Sequence, residues 1–377
     1  MDATFDAAHD PPHWYCTGKQ DAHLLWLRVT ELVPKVSNCF FYNIGLEYDV
    51  ETNVYSNKPG VSITPRGFGN FSGTTCLDPD KGFCNITPYL VKLKAAYAAA
   101  GYVPGLNVRS APYDFRLGPD AEGQIAYFAR VQELIEQMFV DSGGEKVHLM
   151  GHSMGAAMGY QLMAMSSPVW KEKYIASFIP LGGPLGGAPG IPATLVSGRN
   201  FAIPYFNATL FDPSKFAHAI QAWGGVVWMS PNAHAAFSTP CLIKDEVTGT
   251  CYGIDNMQQF YLDSGANVTA TLFQHLSALD LGGTAPGVPV HCGIGHNVST
   301  PIAYVYSDGV GKGQPEALTS LDGDGTVPGP SLRVCASWVQ DQPLSVTTFQ
   351  NVEHGSMPSV PVVLEWLLNI TTSVPSA

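Results

Sequence analysis

The chain has 377 residues, 45% of them hydrophobic and only 13% charged, with a net charge of −12 at pH 7. That length buries a large core and fits one enlarged domain with insertions better than two independent units. The low, acidic charge argues against nucleic acid and against electrostatic capture by an anionic membrane, so any lipid contact must rest on apolar surface.

In chain order, the first element is an apolar stretch of helical spacing: Leu24, Leu25, Trp26, Leu27, Val29, Leu32 and Val33. With its surroundings, residues 14–39, it reads as a lid. Its apolar side chains either dock on lipid or pack on the core. Residues 40–48 and 61–65 read as strands, and 90–100 and 125–139 as helices. Next comes Gly151-His152-Ser153-Met154-Gly155, after the apolar run Val147, Leu149, Met150 and before a helix-prone run ending at Met165. Strand, sharp turn and helix form the context in which G-x-S-x-G marks a nucleophile elbow. A Cβ in place of either flanking glycine is expected to collide with the neighbouring strand and helix. Ile175–Leu181 reads as the next buried strand. Residues 188–290, poor in charge and rich in Gly, Pro, Ala and aromatics, read as a cap with Trp223, Trp228 and Met229 as candidate acyl-pocket walls. A strand at 302–306 is expected to return to the core, and residues 346–352 read as a last strand before a terminal amphipathic helix over 362–368.

An α/β-hydrolase places its acid and then its histidine after the serine. Of eleven histidines, His354 lies on the loop after the last strand, where a general base belongs. The acid is best sought in Asp322-Gly323-Asp324-Gly325-Thr326-Val327, a tight turn that aims a carboxylate; spacing leaves Asp322 and Asp324 as alternatives. A calcium loop is excluded because oxygen ligands do not continue at alternate positions. In the resulting chemistry Ser153 attacks an ester carbonyl, and His354 takes the proton and returns it to the leaving alcohol. The aspartate fixes the imidazole, and the Met154 N–H is one oxyanion donor. No metal is expected: His291, Cys292 and His296 lack a complete zinc ligand set and no CxxC is present. Nothing points to a cofactor, since Gly311-Lys312 lacks the glycine and the Ser/Thr of a phosphate loop.

Eight cysteines and six N-x-[ST] sequons (Asn70, Asn85, Asn207, Asn267, Asn297, Asn369) point to the secretory pathway: lysosome, vacuole or the cell exterior. Proximity pairs Cys76 with Cys84 and Cys241 with Cys251.

Several segments in order resemble the lecithin:cholesterol acyltransferase family. They are Ala111-Pro112-Tyr113-Asp114-Phe115-Arg116, His152-Ser153-Met154-Gly155, Trp170–Ile175 leading into Leu181-Gly182-Gly183-Pro184-Leu185-Gly186-Gly187, then Asp322–Val327 and Glu353-His354. Within that family the pattern is most similar to the branch of lysosomal phospholipases that also transacylate. The resemblance implies a single α/β-hydrolase domain over residues 1–377, with a mostly parallel sheet, a membrane-facing subdomain at 14–39 and a cap over 188–290. It implies Ser153, Asp324 and His354 as the triad, choosing between the two aspartates. It implies disulfides Cys16–Cys39 and Cys292–Cys335, and it favours lipid docking through Leu24, Leu25, Trp26 and Leu27. The implied partners are a phospholipid membrane or lipid-particle surface and, as acceptor, water or a lipid alcohol. Family members carry a buried strand and a V-P-G-x-x-G-like loop that supplies a second oxyanion N–H. Here Met1-Asp2-Ala3-Thr4 begins about where that loop ends, so the N-terminal strand and a signal peptide are expected to be missing from this sequence. Two other readings are a catalytically impaired lipid-binding protein of the same fold and a soluble esterase or peptidase.

Overall fold

The computed structural model describes residues 1–11, 13–16, 22–33, 35–79, 82–199 and 212–372. Strands β1 (Asp2–Phe5) and β2 (His23–Leu24) lead to helix α1 (Val36–Ile44), the hairpin β3 (Leu46–Asp49) and β4 (Val54–Asn57), and β5 (Val61–Thr64). β1 lies between β2 and β5, antiparallel to both.

Two expectations for this region fail for identifiable reasons. The apolar stretch from Leu24 is not a helix; beyond β2 it turns, with one 3-10 turn at Val29–Glu31. Its N–H groups are taken by tertiary partners: Leu25 and Trp26 donate to the Met1 carbonyl, Leu27 to that of Leu77, and Val29 to the Asp78 carboxylate at 2.8 Å. Those bonds replace the helical ladder while every leucine still reaches the core. The aromatic run expected as a strand over residues 40–48 is instead the end of α1 followed by β3. Its buried positions Ser37, Phe40, Phe41 and Ile44 follow the helical period, and Gly45 ends the helix.

Helices α2 (Val91–Ala99) and α3 (Glu122–Asp141) fall where periodicity put them. α3 buries Gln124, Phe128, Val131 and Ile135, one stripe along its length. Then follow β6 (Val147–His152), α4 (Met154–Met165), α5 (Pro168–Tyr174) and β7 (Ile175–Leu181). Ser167 caps α5 by accepting from the Trp170 N–H, with Pro168 in the first turn. Between β7 and the next strand of the central sheet lie α6 (Gly190–Ser197), α7 (Pro213–Ile220), α8 (Gly224–Val227), β8 (Ile243–Asp245), β9 (Cys251–Tyr252), α9 (Met257–Asp263) and α10 (Asn267–Leu276). The chain closes with β10 (Val290–His296), β11 (Thr300–Tyr306), β12 (Glu316–Ser320), α11 (Gly329–Leu332), β13 (Leu344–Gln350) and α12 (Pro361–Thr372).

The central sheet runs β13-β10-β7-β6 with every pairing parallel. A parallel sheet needs helices on its faces, and the α/β-hydrolase core meets this with helices between the strands. In such sheets ligands bind beyond the carboxyl ends of the strands. Ser153 follows β6, Gly182 follows β7 and His354 lies four residues beyond β13. The strand expected at 302–306 does not rejoin this sheet: β11 belongs to a second sheet, β12-β11-β8-β9, where it pairs parallel with β8.

Four disulfides join Cys16–Cys39, Cys76–Cys84, Cys241–Cys251 and Cys292–Cys335. Asn70, Asn85, Asn267, Asn297 and Asn369 are exposed; Asn207 lies outside the described residues. Among the described residues no helix is long and apolar enough to cross a membrane.

Candidate active site

β6 ends at His152 and α4 starts at Met154, so Ser153 alone turns strand into helix. It has φ 57° and ψ −128°, backbone that a residue with a Cβ enters only under constraint. One constraint is its N–H, which donates to the Leu181 carbonyl at 3.0 Å across the sheet. Another is steric. A Cβ on Gly151 would stand 2.3 Å from the Gly155 carbonyl oxygen and 2.6 Å from the Ala156 nitrogen. Gly155 differs from expectation: its Cβ would meet only the Tyr113 hydroxyl, at 4.0 Å. Glycine is therefore compulsory at the first position of the motif and permissive at the second.

The sheet brings Ser153, His354 and Asp324 together. The Ser153 hydroxyl donates to His354 Nε2 at 2.8 Å, and His354 Nδ1–H donates to Asp324 Oδ2 at 2.7 Å. Asp324 is fully buried, and its other oxygen accepts from the N–H groups of Thr326 at 3.0 Å and Val327 at 2.7 Å. One carboxylate oxygen is thereby committed to the turn and the other is aimed at the histidine. The His354 N–H also donates to the Asp324 carbonyl, at 2.7 Å. Asp322, the alternative acid, points elsewhere: Arg333 grips it through two bonds of 2.7 Å, which holds its carboxyl below the usual range. Gly182, at φ +59°, leaves the pair its space, since a Cβ there would lie 3.2 Å from His354 Nδ1 and 3.4 Å from Asp324 Oδ2.

Met154 opens α4, so its N–H is among the helix's first donors, which have no intrahelical acceptor and favour nearby negative charge. Beside the elbow and β6, the last strand in the order β13-β10-β7-β6, lies a cavity of about 1430 Å³. Tyr89, Tyr113, Tyr127, Val131 and Ile135 line it, and it reaches His152 and Gly155.

One placement corrects the sequence reading. Leu24, Leu25 and Leu27 are buried, the latter two completely, and Trp26 is half-buried edge-on against Phe115 and Trp223. None of the three leucines is available to a lipid surface. The apolar groups that this segment does expose are Trp14 (87%), Tyr15, Val33 and Val36. The Cys16–Cys39 disulfide and a bond between Asn38 and the Tyr15 hydroxyl hold the turn carrying Trp14 to the start of α1. Trp223, Trp228 and Met229, the candidate pocket walls, are buried among core side chains, with the Trp228 indole donating to the Leu279 carbonyl at 3.2 Å.

Two groups have no assigned role in the sequence reading. Arg116 is 1% exposed and holds Asp114 through two bonds, at 2.9 and 2.6 Å. It also donates to the Ile44 carbonyl at 3.2 Å and to Asn57 at 2.8 Å, and its own carbonyl accepts from Gly225. The Tyr-Asp-Phe-Arg stretch thus clamps α1 and the β3–β4 hairpin to the core. His152 is the second; a histidine beside the serine carries no local signal of its bonding, which only the fold reveals.

Comparison with known proteins finds relatives along most of the chain. The chain is 30% identical to the lysosomal phospholipase A and acyltransferase of Mus musculus over 361 residues, 95% of this chain and 84% of the mouse protein. It is 30% identical to the phosphatidylcholine-sterol acyltransferase of Homo sapiens, covering 94% of this chain and 78% of the human protein. Among solved structures, a chain of the Tle4–Tli4 complex superposes with a TM-score of 0.48 at 14% identity, over 69% of this chain and 67% of that one. The lecithin:cholesterol acyltransferase model matches residues 22–282 and 282–365, and the chain belongs to that family.

Proposed function

We propose that the protein is a serine-dependent lipid acyl hydrolase and O-acyltransferase that takes an acyl chain from a glycerophospholipid. The observation that carries this reading is the hydrogen-bonded line from Ser153 through His354 to a buried Asp324 at a strand-to-helix turn. Ser153 Oγ bonds to the ester carbonyl carbon as His354 Nε2 takes the hydroxyl proton. The carbonyl oxygen becomes an oxyanion facing the Met154 N–H. Collapse of the tetrahedral species breaks the ester C–O bond, and His354 returns the proton to the leaving lysolipid oxygen. Water or a lipid alcohol then attacks the acyl-Ser153 ester and gives its proton to His354; collapse breaks the acyl carbon–Oγ bond, releases fatty acid or acylated alcohol, and His354 returns the proton to Ser153 Oγ. Asp324 keeps the Nδ1–H in place and stabilises the imidazolium in both halves.

Contact with the lipid surface is apolar, through Trp14, Tyr15, Val33 and Val36, because the chain's charge of −12 gives no electrostatic attraction to anionic lipid. Four disulfides, and relatives named for the lysosome, support residence in the secretory pathway. The test is mass spectrometry of phosphatidylcholine vesicles containing a long-chain alcohol, incubated with wild type and with Ser153→Ala. Lysolipid together with fatty acid or acylated alcohol, absent with the variant, supports the reading, and the product ratio separates hydrolysis from transfer. A folded wild type that binds the vesicles and makes no product overturns it in favour of a lipid-binding protein.

A further inference from the structure

We propose that His152, held by Tyr89, is a positioning residue for the histidine base. The inference rests on the reading of Ser153 and His354 given above. His152 Nε2 lies 2.9 Å from the His354 carbonyl oxygen, and its Nδ1 lies 2.8 Å from the Tyr89 hydroxyl. A carbonyl only accepts, so Nε2 carries the proton. Nδ1 is then a bare acceptor, and the Tyr89 hydroxyl donates to it. One tautomer satisfies both bonds: the His354 carbonyl selects it, and Tyr89 completes it by donating to Nδ1.

The consequence lies at the base. The peptide groups flanking His354 are held on both sides: its N–H donates to the Asp324 carbonyl at 2.7 Å and its carbonyl accepts from His152. With the backbone pinned, the imidazole keeps its two side-chain bonds without searching for them. Such preorganisation lowers the barrier without touching substrate. His152 also sits in the elbow strand one residue before the nucleophile, so the same bond couples the position of Ser153 to that of its base. Tyr89 is anchored in turn, its N–H donating to the Thr75 carbonyl at 2.7 Å, beside the loop closed by Cys76–Cys84.

Electrostatics fit this role. The His152 and His354 rings are 5.0 Å apart, and a charge on both would repel. Burial, reinforced by the neighbouring His354, pushes the His152 pKa down to about 3, against a weaker upward pull from Asp324 and from its bond to the His354 carbonyl. His152 therefore stays neutral while His354 gains and loses its proton. The Tyr89 phenol, whose pKa burial raises, stays protonated and keeps donating.

The experiment compares His152→Leu, His152→Gln, Tyr89→Phe and Ser153→Ala in steady-state hydrolysis of a soluble p-nitrophenyl ester, with thermal melts and phosphonate labelling to count folded sites. Glutamine puts an N–H close to where His152 Nε2–H stands; leucine removes it. The expected result is a 10- to 100-fold fall in kcat for His152→Leu at an unchanged KM, on the scale of about 1 Å of misplacement. Recovery of most of that loss by His152→Gln is expected, with a fall of several-fold for Tyr89→Phe. Wild-type kcat in His152→Leu, or a loss that His152→Gln does not recover, overturns the proposal. Should His152→Leu not fold, Tyr89→Phe decides, since it deletes one oxygen: unchanged kcat overturns the proposal and reduced kcat at constant KM supports it. Turnover persisting in Ser153→Ala would instead refute the underlying site.

Discussion

Replacing Gly151 by alanine should cripple the elbow, while the same change at Gly155 should be tolerated. The new methyl at 151 would sit 2.3 Å from the Gly155 carbonyl oxygen and 2.5 Å from its carbon, backbone atoms of the first turn of α4. Ordinary contact begins at 3.4 Å, so that turn must withdraw from β6 by about 1 Å. The withdrawn turn carries the Met154 N–H, and it pulls Ser153 away from a His354 ring fixed by other elements. Misplacement of about 1 Å costs about 100-fold in rate, and overpacking of this kind costs about 1–3 kcal/mol in stability. At Gly155 the nearest atom is the Tyr113 hydroxyl, at 4.0 Å, so alanine finds room and should improve helix propensity by up to about 1 kcal/mol. The assay is kcat on a soluble ester, normalised to phosphonate-labelled sites, alongside urea melts. Equal losses in both variants, or a fully active Gly151→Ala, would refute the steric account of the motif.

Asp324→Asn should reduce kcat by about 10⁴-fold with little change in Tm, because an amide no longer holds the Nδ1–H tautomer, whereas Asp322→Asn should leave kcat near wild type; the reverse order in ester hydrolysis would reassign the acid. Arg116→Met strands the Asp114 carboxylate in the interior and should cost about 3–5 kcal/mol, read as a loss in the urea midpoint at constant slope; a loss below about 1 kcal/mol would contradict the clamp. His152 makes stability fall with acid. Its folded pKa, about 3, lies below the ordinary 6.5, so between these values the unfolded chain binds the extra proton and stability rises with pH. The full window corresponds to about 5 kcal/mol, and a stability gap between wild type and His152→Gln that does not change from pH 7 to pH 4 would be incompatible with a neutral buried His152.

Much of the site is legible in the sequence because its signals are local. A glycine two residues before a serine, apolar alternation giving way to a helical run, and a histidine after the last strand are all patterns of a few residues. The choice between Asp322 and Asp324 is not of that kind. It depends on Arg333, eleven residues later, occupying the first carboxylate, and on two backbone N–H groups rotating the second toward His354. The stretch from Leu24 misleads for a related reason. Its apolar spacing satisfies a helix, but the Met1 and Leu77 carbonyls and the Asp78 carboxylate compete for its N–H groups and win. The same competition turns Leu25 and Leu27 inward, and the exposed aromatics Trp14 and Tyr15 lie outside the periodic stretch.

The Tyr-Asp-Phe-Arg stretch links the proposed docking surface to the proposed catalytic site. Tyr113 reaches Gly155 at the elbow, while Arg116, three residues on, grips α1 and the β3–β4 hairpin from within. α1 carries Cys39, whose disulfide to Cys16 fixes the turn bearing Trp14. Trp14 is thus connected to the elbow through one disulfide, one helix and one buried guanidinium. The proposed docking surface and Ser153 should accordingly move as one body. On that basis Trp14→Ser should weaken vesicle binding and raise the apparent KM for vesicle phospholipid, and leave kcat on a soluble ester unchanged. A fall in soluble-ester kcat that matches the loss on vesicles would show that Trp14 supports the fold of the site and not its contact with lipid.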